Sequence, residues 1–163
     1  MKELLIIRSV SFQQLDLNLE KIMEQFPGYR ISLLTHEHGV KLAEKYDKIE
    51  EIHVYDYKAG FGWSRKAGSL KGKRFAAVVI PVTNISGAGF SNVLLFSLTV
   101  KTERRYLCNV VSEIRELSVP GILAGLLLRG IYRGLAACFT LITLVLLAPF
   151  VIIMIVARRA NYV

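Results

Sequence analysis

A run of 22 residues near the end of the chain, 135–156, carries no charge and is bracketed by Arg133 on one side and by Arg158 and Arg159 on the other. Wound as an α-helix at about 1.5 Å per residue, a run of this length covers the hydrocarbon core of a bilayer, about 30 Å. A surface helix of a soluble domain keeps one apolar stripe and a polar back, whereas this run is apolar all round. It reads as a transmembrane helix over residues 135–157, with 158–163 as a short tail. Pro149 inside it removes one backbone hydrogen bond, which spanning helices accommodate by local adjustment.

Beside such an anchor, a chain of 163 residues has room for one ordinary domain and not for a two-domain enzyme. The apolar stretch at residues 4–7 stops at Arg8, too soon for the core of a signal peptide, so the first domain is expected in the cytoplasm. Charge is divided unevenly: residues 1–56 hold seven Lys/Arg against ten Asp/Glu, and residues 57–163 hold fourteen against three. The basic half is the membrane half. Basic residues near a span favour the cytoplasmic side and gain about 1 kcal/mol each near anionic headgroups. The expectation is therefore a single-pass protein of the cytoplasmic membrane, its N-terminal domain cytoplasmic and its last residues on the far side. The bilayer accounts for the basicity. Nucleic acid is not expected as a partner, because the basic residues are not interleaved with stacking aromatics on the folded domain. Cys108 and Cys138 make neither metal spacing nor a disulfide framework, which suits a reducing compartment. The glycosylation pattern at Asn84-Ile85-Ser86 would not meet its enzyme there.

Taken in order, residues 3–9 form a short apolar run suited to a strand buried on both faces. Residues 15–26 place Leu15, Leu19, Ile22, Met23 and Phe26 on one helical face, and Pro27-Gly28 stops the helix. A strand over 29–35, a helix over 37–46 with Val40, Leu42 and Ala43 inward, and a strand over 49–55 complete β-α-β-α-β. Residues 56–74 are looser, with a short helix expected near 63–70. The run 75–81 is apolar throughout and ends in Pro81, and it reads as a buried strand. A glycine-containing turn over 82–91 leads into a helix over 92–100, a fifth strand over 104–110 and a helical lead over 112–117. Strands alternating with helices at this spacing predict an α/β fold, a Rossmann-like parallel sheet of about five strands in the order 3-2-1-4-5. Residues 1–117 make up this domain. Residues 118–134 are too short to span. They read as an interfacial amphipathic linker helix with Arg129 and Arg133, four apart, on lipid phosphate, or as a helix packed under the sheet.

In an open parallel sheet, ligands bind outside the carboxyl ends of the strands where the order reverses. The loops flanking that point are residues 9–14 and 82–91, rich in hydroxyls and amides. The candidate ligand-contacting residues are Ser9, Ser11, Gln13, Gln14, Thr83, Asn84, Gly87 and Gly89. Gly87-Ala88-Gly89 before a helix can present N–H groups to a phosphate, although a bare G-x-G is more often a tight turn. His36-Glu37-His38 lacks metal geometry, since i and i+2 on a helix do not face each other, so no metal is expected. Phe61 and Trp63 among Lys58, Arg65, Lys66, Lys71, Lys73 and Arg74 read either as a membrane-touching patch or as a solvated connector. No nucleophile–base arrangement has a local signature, no cofactor is called for, and the catalytic residues are left unassigned.

LLIIRSVSF at the first strand, EQFPGYRISLLT across the second, the 49–55 strand after KYDKI, and KRFAAVVIP at the fourth together resemble the N-terminal half of a GT-B glycosyltransferase. The closest similarity is to family 9, which includes the lipopolysaccharide heptosyltransferases, and it covers roughly residues 2–110. The resemblance implies an acceptor-binding Rossmann-like half. It also implies a Gly-Asp pair after the first strand, the Asp acting as general base toward the acceptor hydroxyl. Those places fall on Gln13 and Gln14, and an amide accepts no proton at neutral pH. The family's sugar nucleotide binds mainly in a second Rossmann domain, where this chain has its anchor. The expected function is thus a membrane-anchored, acceptor-side glycosyltransferase-like domain in cell-envelope polysaccharide or glycolipid synthesis. It is expected to be inactive alone, with a partner subunit carrying the nucleotide sugar or with a lipid-linked acceptor. The alternative is a membrane scaffold that binds a cytoplasmic protein through the same domain.

Overall fold

The computed structural model describes residues 2–160 and divides into two units at Ile122/Leu123. In the first unit a six-stranded sheet has the order β3-β2-β1-β4-β5-β6. Its central strand, β1 (Glu3–Ile7), is apolar without alternation because helices or loops cover both of its faces, and Leu4 to Ile7 are fully buried. It pairs in parallel with β2 (Arg30–His36) and β4 (Phe75–Pro81). The flanking strands β3 (Glu51–Tyr55) and β5 (Thr102–Cys108) extend the parallel set on either side.

Helix α1 (Phe12–Gln25) covers one face. Ser11 caps it by accepting a hydrogen bond from the Gln14 N–H. Leu15, Leu19 and Ile22 turn inward at helical spacing, onto Leu4, Ile6, Leu33 and Val79 of the sheet. Phe26 follows as the C-cap, and Gly28 at φ 74° takes the left-handed turn that ends the element. The expected helix over 37–46 is shorter: a 3-10 turn at Glu37–Gly39 and α2 (Val40–Ala43). Ala43 is buried, but Leu42 faces solvent, because one turn of helix has room for one inward position. Helix α3 (Ser91–Ser97) covers the opposite face with Val93, Leu94 and Phe96. Arg105 from β5 closes its C-terminal end, donating to the carbonyls of Ser97 at 3.1 Å and Val100 at 3.0 Å.

Residues 112–117 are not a helical lead. Ile114–Leu117 form β6, antiparallel to β5, with Cys108 opposite Ile114 and Arg105 opposite Leu117. The Asn109 side chain makes the reversal, its Oδ1 accepting from the N–H groups of Val111 and Glu113, while Ser112 takes φ 60°. After β6 the chain runs toward the amino-terminal end of the parallel strands.

Helix α4 (Val119–Ala160) begins in the first unit, where Ile122 is buried, and makes up the described part of the second. It runs without a break through Gly134, so linker and span form one helix and differ in composition alone. Among the described residues it is the one helix long and apolar enough to cross a membrane, over Val119–Phe150. Large apolar side chains lie open all around it, Phe139 at 69%, Leu144 at 62% and Phe150 at 67% exposure. Within it, Thr140 and Thr143 donate their hydroxyls to the carbonyls of Ala136 and Phe139, each at 2.9 Å. Neither of these two hydroxyls needs water. Residues 161–163 of the expected tail lie outside the described residues.

Candidate functional site at the carboxyl ends of the strands

From β1 the chain steps outward to β2 and β3, then returns to the other side of β1 for β4 and β5. At this reversal, outside the strand carboxyl ends, lies a crevice of about 400 Å³. Arg8 and Ser9 bound it after β1, His36 and His38 after β2, and Gly89 and Asn92 after β4. No carboxylate belongs to this lining.

Arg8 is the best-fixed of these groups. Its Nε donates to Thr35 Oγ1 at 2.7 Å, its Nη1 donates to the Val10 carbonyl at 3.1 Å, and its guanidinium lies 4.6 Å from the centre of the Phe12 ring. Its Nη2 reaches His38 Nε2 at 3.5 Å. Burial draws its pKa below the ordinary value, although a guanidinium stays charged at any physiological pH. Gly39 makes room for this arrangement: a Cβ there would collide with Thr35 Oγ1 and come within 3.0 Å of Arg8 Nη2.

His36 lies against His38 with ring centres 5.6 Å apart, and its Nε2 is 3.3 Å from the Ala59 carbonyl. Burial holds its pKa down, and the neighbouring His38 and Arg8 push the same way. Behind it Tyr55, Phe61 and Phe96 form an aromatic cluster, with centres 4.7 Å apart for Tyr55–Phe61 and 5.0 Å for Phe61–Phe96. The imagined basic–aromatic surface patch is therefore divided: Phe61 is in the core, Trp63 is 69% exposed, and Lys73 pairs with Glu51.

No family model, curated protein or solved structure matches this chain. The geometry of its own side chains has to carry the reading.

Of the residues expected at the ligand, Ser9 and Gly89 line the crevice. Ser9 Oγ donates to the Pro81 carbonyl and ties β1 to β4 across the reversal. Asn84 and Gly87 have internal work instead. Asn84 Oδ1 accepts from Gly87 N–H and its Nδ2 donates to the Ala88 carbonyl, both at 2.6 Å, which uses an N–H that a phosphate would need. Gly87 has φ 72°, and a Cβ there would sit 2.7 Å from Leu107 Cδ1. Helix α3 has seven residues, too short to bring a substantial dipole to bear. Ser11 caps α1, while Gln13 and Thr83 are exposed outside the crevice lining. Gln14 is committed to Asn18 Oδ1 at 2.9 Å and to the Val110 carbonyl at 3.1 Å. Arg129 and Arg133 stand four residues apart on α4 in the second unit.

Arg8, His36 and His38 were not singled out as ligand contacts. Arg8 had a visible mark, a lone charge closing an otherwise apolar central strand. The histidines had none, because what matters is their distance from Arg8 and not from one another.

At the other end of the strands, Glu3, Glu51 and His53 bring their ligand atoms within 4.8 Å of one another. Glu3 already accepts from Ser32 Oγ at 2.7 Å, and the Lys73 ammonium sits on Glu51. This cluster has its own cation.

Proposed function

We propose that this chain is a membrane-anchored, acceptor-side glycosyltransferase-like domain, acting at the cytoplasmic face of the cytoplasmic membrane in cell-envelope polysaccharide or glycolipid synthesis. It works with a partner chain that supplies the nucleotide-sugar site. The observation that carries this reading is the crevice at the β1/β4 reversal: it is of ligand size and fixed by Arg8, and it lacks a carboxylate among the described residues. A transfer to a hydroxyl needs a base to take its proton. With Gln14 bonded to Asn18 and Val110, and Gln13 exposed, the positions where the resemblance places Gly-Asp offer no group to take that proton. The apolar α4 supports the placement at a bilayer, and the basic second half of the sequence supports the orientation.

The test is to extract the full chain from membranes in mild detergent and identify what accompanies it. A glycosyltransferase subunit in stoichiometric amount is the expected result. Sugar transfer by the purified chain alone would overturn the dependence on a partner. A chain that remains in the soluble fraction without detergent would overturn the anchoring.

A further inference from the structure

The crevice lining sets positive and donor groups against each other. Arg8 has three of its five N–H groups directed at protein acceptors, to Thr35, to Val10 and, at 3.5 Å, to His38, which leaves two, and it has no ion pair to a carboxylate among the described residues. A half-buried guanidinium with no counter-ion is an uncommon arrangement, because a desolvated charge is costly unless paired. Its Nη2 lies 3.5 Å from His38 Nε2, a long contact in which the guanidinium donates and the ring nitrogen accepts. His36 backs His38, and both histidines also border an adjoining hollow with Glu37, Asp56 and Lys58, where Asp56 accepts from Gly68 N–H at 2.8 Å; neither carboxylate lines the crevice that holds Arg8. The position is built and not incidental, since Thr35, the Val10 carbonyl, the Phe12 ring and the missing Cβ of Gly39 all hold the guanidinium in one orientation.

We propose that this crevice binds a phosphoryl group, taken by the remaining N–H groups of Arg8 beside the ring of His38, with Asn92 also in the lining. These lining residues come from the segments that follow three different strands. A tetrahedral anion with three terminal oxygens meets such a lining better than a flat carboxylate, which takes two donors in one plane. The same phosphoryl chemistry is offered by a soluble phosphate ester and by a lipid-borne phosphate. The inference names the ligand class of the site on which the acceptor-side reading rests, and it is tested separately from the partner.

The probe is inorganic pyrophosphate, titrated into the full chain in uncharged detergent. Saturable binding is expected, and Arg8→Gln weakens it at least about tenfold, the scale of a charge-assisted hydrogen bond. Because Arg8 also ties Thr35 to Val10, the sharper variant is His38→Glu at an exposed position, which gives the guanidinium an internal carboxylate. Binding is lost in that variant, while the unfolding temperature stays the same or rises. Absence of pyrophosphate binding by the wild-type chain, or equal binding by His38→Glu, overturns the proposal. A second arm repeats the titration in nanodiscs. Phosphatidic acid that competes through Arg8 identifies a lipid-borne phosphate, and indifference to it identifies a soluble one. Absence of pyrophosphate binding by the wild-type chain with the partner still co-purifying refutes this inference alone, and binding without a co-purifying partner refutes the partner reading alone.

Discussion

Gly87 stands where backbone geometry and packing both exclude a side chain, and the two costs can be separated. Gly28 has nearly the same backbone, φ 74° against 72°, but a Cβ there would meet nothing within 4 Å. Placing an L-residue in the left-handed region costs about 1–2 kcal/mol, partly offset because alanine restricts the unfolded chain, so Gly28→Ala should cost about 1 kcal/mol. Gly87→Ala bears the same term and adds a contact of 2.7 Å with Leu107 Cδ1. Leu107 is fully buried on β5, so overpacking adds about 1–3 kcal/mol. The assay uses Cys108, buried beside Leu107, with a thiol that burial pushes up to about 11. In the full chain with Cys138→Ser, labelling of Cys108 across a urea series reports opening of the first unit. Under conditions where labelling follows the open population, Gly87→Ala should label roughly 5- to 150-fold faster than Gly28→Ala, the equivalent of 1–3 kcal/mol. If the two variants label alike, the clash with Leu107 is not a real constraint and the turn at 84–89 is not packed as described.

Asn84→Ala removes both hydrogen bonds that staple that turn and should cost about 1–3 kcal/mol by the same labelling assay, while Asn84→Asp, which keeps the acceptor for Gly87 N–H, recovers about half. Ile22→Ala, at a fully buried position on α1, should cost about 2–5 kcal/mol, whereas the same change at the exposed Leu17 should stay within about 0.5 kcal/mol. His53 is 3% exposed, and burial first, then Lys73, hold its pKa below the ordinary histidine value. Its folded state therefore favours the neutral ring: stability is in place above about pH 6.5 and is lost as pH falls through the lowered folded pKa. His53→Phe should flatten the decline in unfolding free energy between about pH 7 and 5, and an unchanged slope would put the loss elsewhere.

The parallel core could be read from the chain because its signals are local. Residues 3–7 and 75–81 are apolar without alternation, Pro27-Gly28 ends α1 where expected, and β1 to β5 take the order the alternating pattern predicts. Strand β6 could not be read this way. Ile114 and Leu117, three apart around Arg115 and Glu116, fit a helical face as well as an edge strand. What makes them a strand is pairing with β5, set by the Asx turn at Asn109, which was the available clue. Topology points to the crevice, but of its lining only Ser9 and Gly89 are among the ligand contacts expected from the sequence. The contacts of Arg8 with Thr35 and His38 span 27 and 30 positions, and they come into being only through the register that sets Ile7 beside Leu34. Asn84 and Gly87 looked like ligand groups because a loop that staples itself uses the same residue types as a loop that grips an anion.

The single antiparallel strand has a further effect on how the first unit can be used. Had the segment after β5 followed the parallel rule, it would have left the sheet beside the ligand mouth. Turned back by Asn109, it departs from the far rim, so Ser118 and the start of α4 leave the domain at the end of the sheet opposite Arg8. The doorway and the mooring point are thus on different shores of the same sheet.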